Sequence, residues 1–470
     1  MPFRTRRIRV KLKQYPDPES IATSESDASL PPSPVESLPS TASTASTAST
    51  ASTATSSSSV DDTYGGRLLP SIRKTTLSAF GHLSKHELAL LDRAVHQDDF
   101  IHLFVLGPSF RESHRQKLVF HLLSSHQTVL DGYLAFALSM GGDEVQVNNS
   151  YRHAASALVT LRSLSATATD PSQADSASSC LILGWQMLHF VFKLGGGELL
   201  EICNQTLSLI KPHFSSHGFS GETTYLSFMT SLVLTETAEC LFKTRLPTVR
   251  MDHPAATTRI DGCVGLCTSL LPHLHDLAVL NHAMGASRQS WKSFEAGDKK
   301  EKALLKQPRA DMNWAKPLAI LERRVRSWQP NVPPDFCHGF TTIEAAHMMC
   351  QAQVMQTAAL LIIHRLRYPY GTQDATARAL SSSILDAMDL ALNATGKVPF
   401  CLDLPLIVAN FEVGDPSARV QNVSRFTSIG SYSSVFHTRI WTMLSLVWGA
   451  KHRQSDVHWY HLGDILSRFS

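Results

Sequence analysis

From about residue 76 onward, apolar residues recur at spacings of three and four, the pattern of amphipathic helices. Ser84 and Glu87 have the spacing of a capping box, in which each residue bonds the other's backbone, and they begin one such segment. Thr341 and Glu344 repeat the spacing and begin a longer segment. Alternating strand patterns between turn residues are scarce. The sequence therefore predicts an all-α fold, a large irregular multi-helix domain.

Glycine, proline and polar spacers separate the apolar segments. The predicted helices are 84–95, 118–140, 151–164, 180–194, 199–210, 223–242, 260–284 with an interruption at Pro272, 341–367, 374–394, 403–413, 418–429, 434–449 and 456–468. Residues 285–313 are polar and charge-rich, which predicts an exposed linker. The sequence has no uninterrupted run of about 18 apolar residues, so we expect no membrane span.

Residues 1–75 differ from the rest, and we expect them to form a disordered tail ahead of a helical domain at 76–470. Positions 40–59 are almost entirely Ser, Thr and Ala, which offer too little apolar surface to offset ordering entropy. The first 13 residues carry six positive charges, at Arg4, Arg6, Arg7, Arg9, Lys11 and Lys13. Three interpretations stay open for this basic segment: a solvated tail, a nuclear import signal, or an arm that contacts nucleic-acid phosphates.

The amino-acid composition limits the kinds of partner and site that we expect. Hydrophobic residues make up 43% of the 470, enough for a large core, and a net charge of +3 is too small to predict a polyanion partner for the whole chain. None of the eight cysteines precedes Cys180, and no pair has the two-residue gap of a zinc knuckle. We therefore expect scattered reduced thiols rather than a metal site or a disulfide framework.

The sequence motifs that could form a metal, phosphate-binding or catalytic site are all incomplete. Glu344 and His347 have the Glu-x-x-His spacing of di-iron bundles, but no second copy occurs, which favours helix capping by Glu344. Three other pairs could contribute to a metal site but have no further ligand near them in the sequence. They are His82 with His86, His458 with His461, and the acids Asp98 and Asp99. Gly195–Gly197 lacks the Lys-Ser/Thr of a phosphate loop and is read as a helix stop. The sequence predicts no catalytic, metal or cofactor site.

Two other clusters have structural interpretations. His364, Arg365 and Arg367 end a strongly apolar helix, where cations interact favourably with the helix dipole; contact with an anionic ligand or partner is the alternative. Cys263 and Cys267 are one helical turn apart, so we expect both on one buried helix face.

The C-terminal part has a characteristic order of elements, clearest between 336 and 449. A long apolar helix ends in His364-Arg365, an aromatic-proline break and a second helix follow, and a third helix ends in Asn-Phe-Glu-Val-Gly-Asp at 410–415. Val435-Phe436 and Trp441–Trp448 then supply a closing helix. This ordered set resembles the regulatory domain of the fungal-specific transcription factor family, over roughly residues 80–470. In that family the domain follows a six-cysteine zinc cluster that reads DNA.

The resemblance implies a nuclear transcriptional regulator that controls a metabolic or secondary-metabolite gene set, with a small effector as an open possibility. With no cysteine before Cys180, we expect no zinc cluster here, through true loss or through an omitted upstream exon. The implied partners are the transcription machinery, another DNA-binding factor or a like chain, with DNA bound non-specifically through the basic segment and no membrane. A non-DNA-binding adaptor and an all-α enzyme are the alternatives.

Overall fold

The computed structural model describes residues 80–96 without 82, 105–140, 144–167, 174–195, 198–217, 225–252, 260–296, 314–426 and 433–467 without 455. Within these ranges every regular element is a helix, and the one pair of extended residues forms an isolated bridge between Asp261 and Gly265. The all-α prediction is thus confirmed. The predicted tail 1–75 lies outside the described residues.

Seven helices build the N-terminal part of the domain. They are α1 (Lys85–His96), α2 (Pro108–Ser124), α3 (His126–Ser139), α4 (Glu144–Thr167), α5 (Ala174–Leu194), α6 (Leu199–His217) and α7 (Leu226–Lys243). Each packs mainly on its neighbours in the chain: α3 on α1, α4 and α5, and α5 on α6 and α7. Buried α5 and α7 therefore form the core of this part.

The C-terminal part surrounds one long helix. After a 3₁₀ turn (Leu266–Leu270) come α8 (Leu271–Ala296), α9 (Ala315–Ser327), α10 (Phe336–Gly339), α11 (Thr342–Arg367), α12 (Asp374–Thr395), α13 (Asp403–Asn410), α14 (Pro416–Phe426), α15 (Ser434–Arg453), a second 3₁₀ turn (Trp459–His461) and α16 (Leu462–Ser467). Helix α11 packs on α9, α12 and α13. Helix α15 contacts α5 as well as α13, and α16 contacts α7, so these last helices return to the N-terminal part.

Both predicted capping boxes are present. Glu87 Oε2 accepts hydrogen bonds from the backbone and hydroxyl of Ser84, whose Oγ accepts the Glu87 N–H. At α11 the Thr341 hydroxyl oxygen accepts the Glu344 N–H, while the Glu344 carboxylate accepts the Thr341 N–H. These bonds satisfy donors that a helix start leaves free, which explains why both boundaries could be read from the sequence.

The helix predicted at 260–284 is wrong at both ends. Its first residues form a turn, because the Asp261 carboxylate accepts the N–H groups of Cys263 and Val264 and Gly265 adopts a positive φ of 56°. The helix α8 then starts at Leu271, with Pro272 tolerated in its first turn, and continues to Ala296. Gly285, read as the start of a linker, instead lies against Thr244, where an added Cβ would approach Thr244 Cγ2 to 2.7 Å. Residues 297–313 lie outside the described part.

The other predicted helix boundaries differ less from those in the structure. The segment predicted at 118–140 is two helices that meet at Ser125, and 403–413 ends three residues earlier, at Asn410. Two helical windows, Ala177–Leu194 and Thr342–Arg367, are long and apolar enough to span a bilayer by length and composition. Most of each window, 89% and 67%, is buried against other helices, as in core helices.

Candidate functional site

Several sequence candidates lie outside the described residues and stay predictions. They are the basic residues Arg4, Arg6, Arg7, Arg9, Lys11 and Lys13, the histidine His82 and the acids Asp98 and Asp99. Gly195 is described: it has a φ of 69°, and its N–H donates to Val191 O, so it ends α5 as a left-handed cap. The helix-stop interpretation is therefore confirmed at this position.

Glu344 and His347 point to different partners. Glu344 is 1% exposed, and its two carboxylate oxygens accept the N–H and the hydroxyl of Ser109, at 2.8 Å each, in addition to the Thr341 donors. Burial opposes the charge, but the hydrogen bonds from Ser109 and Thr341 outweigh it and lower the pKa of Glu344. His347 Nε2 instead meets Thr395 Oγ1 at 2.8 Å. This pair is structural, and Glu344 also joins α11 to the start of α2.

The arginine at the end of α11 has a different role from the predicted one. Arg365 is 1% exposed and its guanidinium makes five hydrogen bonds. Nε and Nη2 donate to the two oxygens of Glu412 at 2.8 and 2.6 Å, Nη2 also to Asp374 Oδ1, and Nη1 to the carbonyls of Pro369 and Thr372. The ion pair with Glu412, rather than the helix dipole alone, holds this charge. With its N–H groups all engaged, Arg365 offers no donor to an anionic ligand.

Tyr370 and Lys451 complete this buried cluster. The Arg365 guanidinium and the Lys451 ammonium lie 4.8 and 4.7 Å from the centre of the Tyr370 ring, and Lys451 also donates to the Phe411 carbonyl. Burial lowers the pKa of Lys451 and raises that of Tyr370. The His364-Arg365 pattern and the Glu of the Asn-Phe-Glu-Val-Gly-Asp segment, both features of the family resemblance, thus meet in one ion pair.

Two loops lie against each other beside α11, a contact that the sequence did not predict. They are the 260–265 turn and the loop that precedes α13. Asp261 is buried, and besides the two backbone groups its carboxylate accepts the Thr230 hydroxyl at 3.0 Å. Gln351 of α11 donates to the carbonyls of Cys263 and Phe400, at 3.3 and 3.2 Å. These bonds bring the 260–265 turn against the connection that precedes α13. No local pattern could have paired positions so far apart in the chain.

The thiols are mostly buried. Cys263 lies in that turn and Cys267 in the 3₁₀ turn that follows, so the expected burial is confirmed while the shared helix face is not. Cys263 Sγ lies 3.5 Å from Cys401 Sγ. The hydrogen bond with Cys263, together with burial, raises the pKa of the Cys401 thiol well above its ordinary value. A raised pKa suppresses the thiolate of Cys401 and therefore its nucleophilicity.

We expect one thiol in the native protein to react rapidly with Ellman's reagent, because Cys337 alone among the eight cysteines is exposed. Cys337→Ser should remove the rapid phase, and all eight thiols of the wild-type chain should react in guanidinium chloride. The measurement is the stoichiometry of the burst in absorbance. If a second thiol equivalent reacts rapidly and this reaction disappears in Cys401→Ser, then Cys401 is reactive as well, contrary to this expectation.

An apolar cavity lies where the two parts of the domain meet. Its volume is about 80 Å³, and its walls come from α5, α7, α11, α13 and α15. The lining residues are Phe192, Leu234, Thr235, Ala238, Glu239, Phe242, Met355, Cys401, Asp403, Leu404, Ile407, Phe436, Arg439, Ile440 and Met443. Part of the lining is buried, whereas Thr235, Ala238, Cys401, Asp403, Phe436, Arg439 and Met443 keep partial exposure. The cavity therefore reaches solvent between α7, α15 and the start of α13.

The polar groups at the cavity mouth have partners. Arg439 Nη2 lies 2.6 Å from both carboxylate oxygens of Glu239, and Lys243 Nζ lies 3.3 Å from the same carboxylate. The Thr235 hydroxyl donates to Ser231 O at 2.9 Å, within α7. Asp403 is the first residue of α13, where the helix dipole favours a negative charge. The lining is therefore apolar with a paired charge at its edge.

A second, wider cleft of about 1100 Å³ is lined by both polar and apolar side chains. Its walls carry charges of both signs, Glu198, Glu201 and Asp464 against Lys243 and Arg245. Neither sign is concentrated enough to select a charged ligand. In the described part of the chain, no three His, Cys, Asp or Glu side chains lie close enough together to hold a metal ion. The apolar cavity is therefore the candidate binding site, and Arg439, Glu239 and Cys401 are the residues there that sequence reasoning missed.

Comparison with known proteins gives one match. The family model described as the fungal specific transcription factor domain matches residues 95–467, which includes nearly all of the helical region and both walls of the cavity. Searches of curated proteins and of solved structures return no match.

Proposed function

The chain belongs to the family of the fungal specific transcription factor domain, and from this membership we propose that it regulates a metabolic or secondary-metabolite gene set in the nucleus, through protein partners. The family is one of regulatory domains of transcription factors, and this supports a role in regulation rather than in catalysis. The observation that carries the proposal is the extent of the match, 95–467, together with the ion pair that joins its two characteristic segments.

Partner-mediated action is supported by the cysteine positions. A binuclear cluster of six thiolates reads DNA by placing a short helix in the major groove. The 470 residues hold no cysteine before Cys180, and the later ones are scattered over helices and turns. In this proposal another DNA-binding factor or the transcription machinery supplies the choice of promoter. The basic residues 4–13 serve as an import signal in this scheme, and an arm that contacts phosphates is the second role to test.

The test is chromatin occupancy of the tagged full chain, compared with a deletion of residues 1–13 and with the same deletion carrying a foreign import signal. We expect discrete promoter peaks for the full chain, loss of nuclear entry and peaks on deletion, and recovery of both with the foreign signal. Recovery of entry without peaks would assign the basic segment to DNA contact. For an arm that neutralises about six phosphates, binding to DNA in vitro should weaken on the order of a thousandfold between 50 and 200 mM salt.

Partner dependence is measured in the same cells. Factors that co-purify with the chain are depleted one at a time, and the peaks should vanish when the factor that selects the promoter is removed. Peaks that survive every depletion would overturn partner mediation. Normal nuclear entry with no peaks at all would overturn direct regulation and favour an adaptor that acts away from chromatin.

A further inference from the structure

We propose that the cavity between α7, α13 and α15 binds a small, uncharged, mainly hydrocarbon molecule. The inference concerns binding and stands on the cavity itself, independently of the proposed role in transcription. Eleven of its fifteen lining residues are apolar, counting Cys401, and the four others are Thr235, Glu239, Asp403 and Arg439. Apolar walls favour an apolar ligand because its transfer from water is favourable in proportion to the apolar area that it buries.

Aromatic rings define two sides of the space. The rings of Phe192 and Phe436 pack edge to face with centroids 4.9 Å apart, and Phe242 lines the wall as well. Aromatic surfaces prefer edge-to-face or offset contact with a further ring. A single aromatic ring or a branched aliphatic group of similar size is therefore the shape that suits the cavity best.

The charges at the mouth argue for a neutral ligand. Arg439 and Glu239 satisfy one another, and Lys243 adds a second positive partner to the same carboxylate. Asp403, the other acid in the lining, begins α13, where the helix dipole already favours its charge. A charged ligand would have to lose its hydration beside charges that are stabilised in these ways, which costs free energy. A neutral molecule has no such cost and can enter past the pair.

The size of the space limits the ligand. A volume of about 80 Å³ exceeds the ~10–15 Å³ that one water molecule needs, and it is about half of an engineered apolar cavity of ~150 Å³ that binds benzene. The open side toward solvent allows part of a ring to project. A ligand in this position contacts α5 and α7 of the N-terminal part and α13 and α15 of the C-terminal part, so its binding is expected to join the two.

Fluorine NMR of fluorobenzene with the full chain tests the proposal. We expect saturable line broadening with fluorobenzene, and apparent affinities at least about tenfold weaker for 4-fluorobenzoate and 4-fluorobenzylammonium, which carry opposite charges. Ala238→Met fills the cavity and should weaken fluorobenzene binding by at least about tenfold. Ala286→Met, an identical change in the wider cleft, is the matched control and should leave binding in the apolar cavity unchanged.

Circular dichroism establishes that each variant is folded. If Ala238→Met does not fold, Met443→Ala replaces it: this change enlarges the cavity and should allow 1-fluoronaphthalene to bind where the wild type excludes it. Fluorobenzene broadening that is absent, or that persists unchanged in folded Ala238→Met, would overturn the proposal. Tighter binding of 4-fluorobenzoate than of fluorobenzene would also overturn it, since Arg439 would then be selecting an anion.

Discussion

Replacing Arg365 by leucine is expected to lower the free energy of unfolding by about 3–5 kcal/mol, the range for breaking one side of a buried ion pair. The guanidinium is 1% exposed and its removal leaves the Glu412 carboxylate without its bidentate partner. The carbonyls of Pro369 and Thr372 lose their donor at the same time. Urea unfolding followed by circular dichroism measures the loss.

Arg367→Leu is the matched control, on the same helix and only two residues away. Arg367 pairs with Glu322 at 2.7 Å on a partly exposed surface, so its loss should cost about 0–1 kcal/mol. The double variant Arg365→Leu, Glu412→Leu removes both buried charges and should recover part of the stability that Arg365→Leu loses. Equal losses for Arg365→Leu and Arg367→Leu would show that the buried pair has no special role in stability.

Trp459→Ala is expected to cost about 3–5 kcal/mol, the usual range for removing a large aromatic side chain from a core. Trp459 is the largest side chain among those fully buried in the described residues. Its ring lies 5.9 Å from that of Phe242 and 5.7 Å from that of Phe411, and its Nε1–H donates to Leu241 O at 3.0 Å. The change therefore removes packing contacts and also leaves a buried carbonyl without this donor.

Trp441→Ala provides the comparison, because Trp441 is only partly buried on α15. Its loss should cost about 1–2 kcal/mol, within the ordinary range for point substitutions. Both variants are compared by the urea midpoint from circular dichroism, since tryptophan fluorescence changes with the substitution itself. A Trp459→Ala protein as stable as Trp441→Ala would mean that the segment after α15 contributes little to the core.

Sequence patterns within a few residues of one another were sufficient to predict the fold class and many of the helix boundaries. Ser84 with Glu87 and Thr341 with Glu344 marked helix starts correctly, because capping involves residues three positions apart and needs no tertiary context. The ordered segments around Arg365 and Glu412 also identified the family, which the match over 95–467 confirms. By contrast, Gly285 was wrongly predicted to begin an exposed linker, since only the neighbouring Thr244 explains why glycine is needed inside α8.

The sequence by itself determined that the chain is helical, where two of its helices begin and which family it belongs to, because these properties depend on short-range periodicity and on the order of segments. Only the tertiary structure decided what the side chains do. The structure shows that Arg365 forms a buried ion pair rather than acting only as a cation at a helix end. It also shows that Cys263 lies beside Cys401. The cavity likewise needs residues from 192 to 443 to converge, a juxtaposition set by packing across the whole domain and absent from any local pattern.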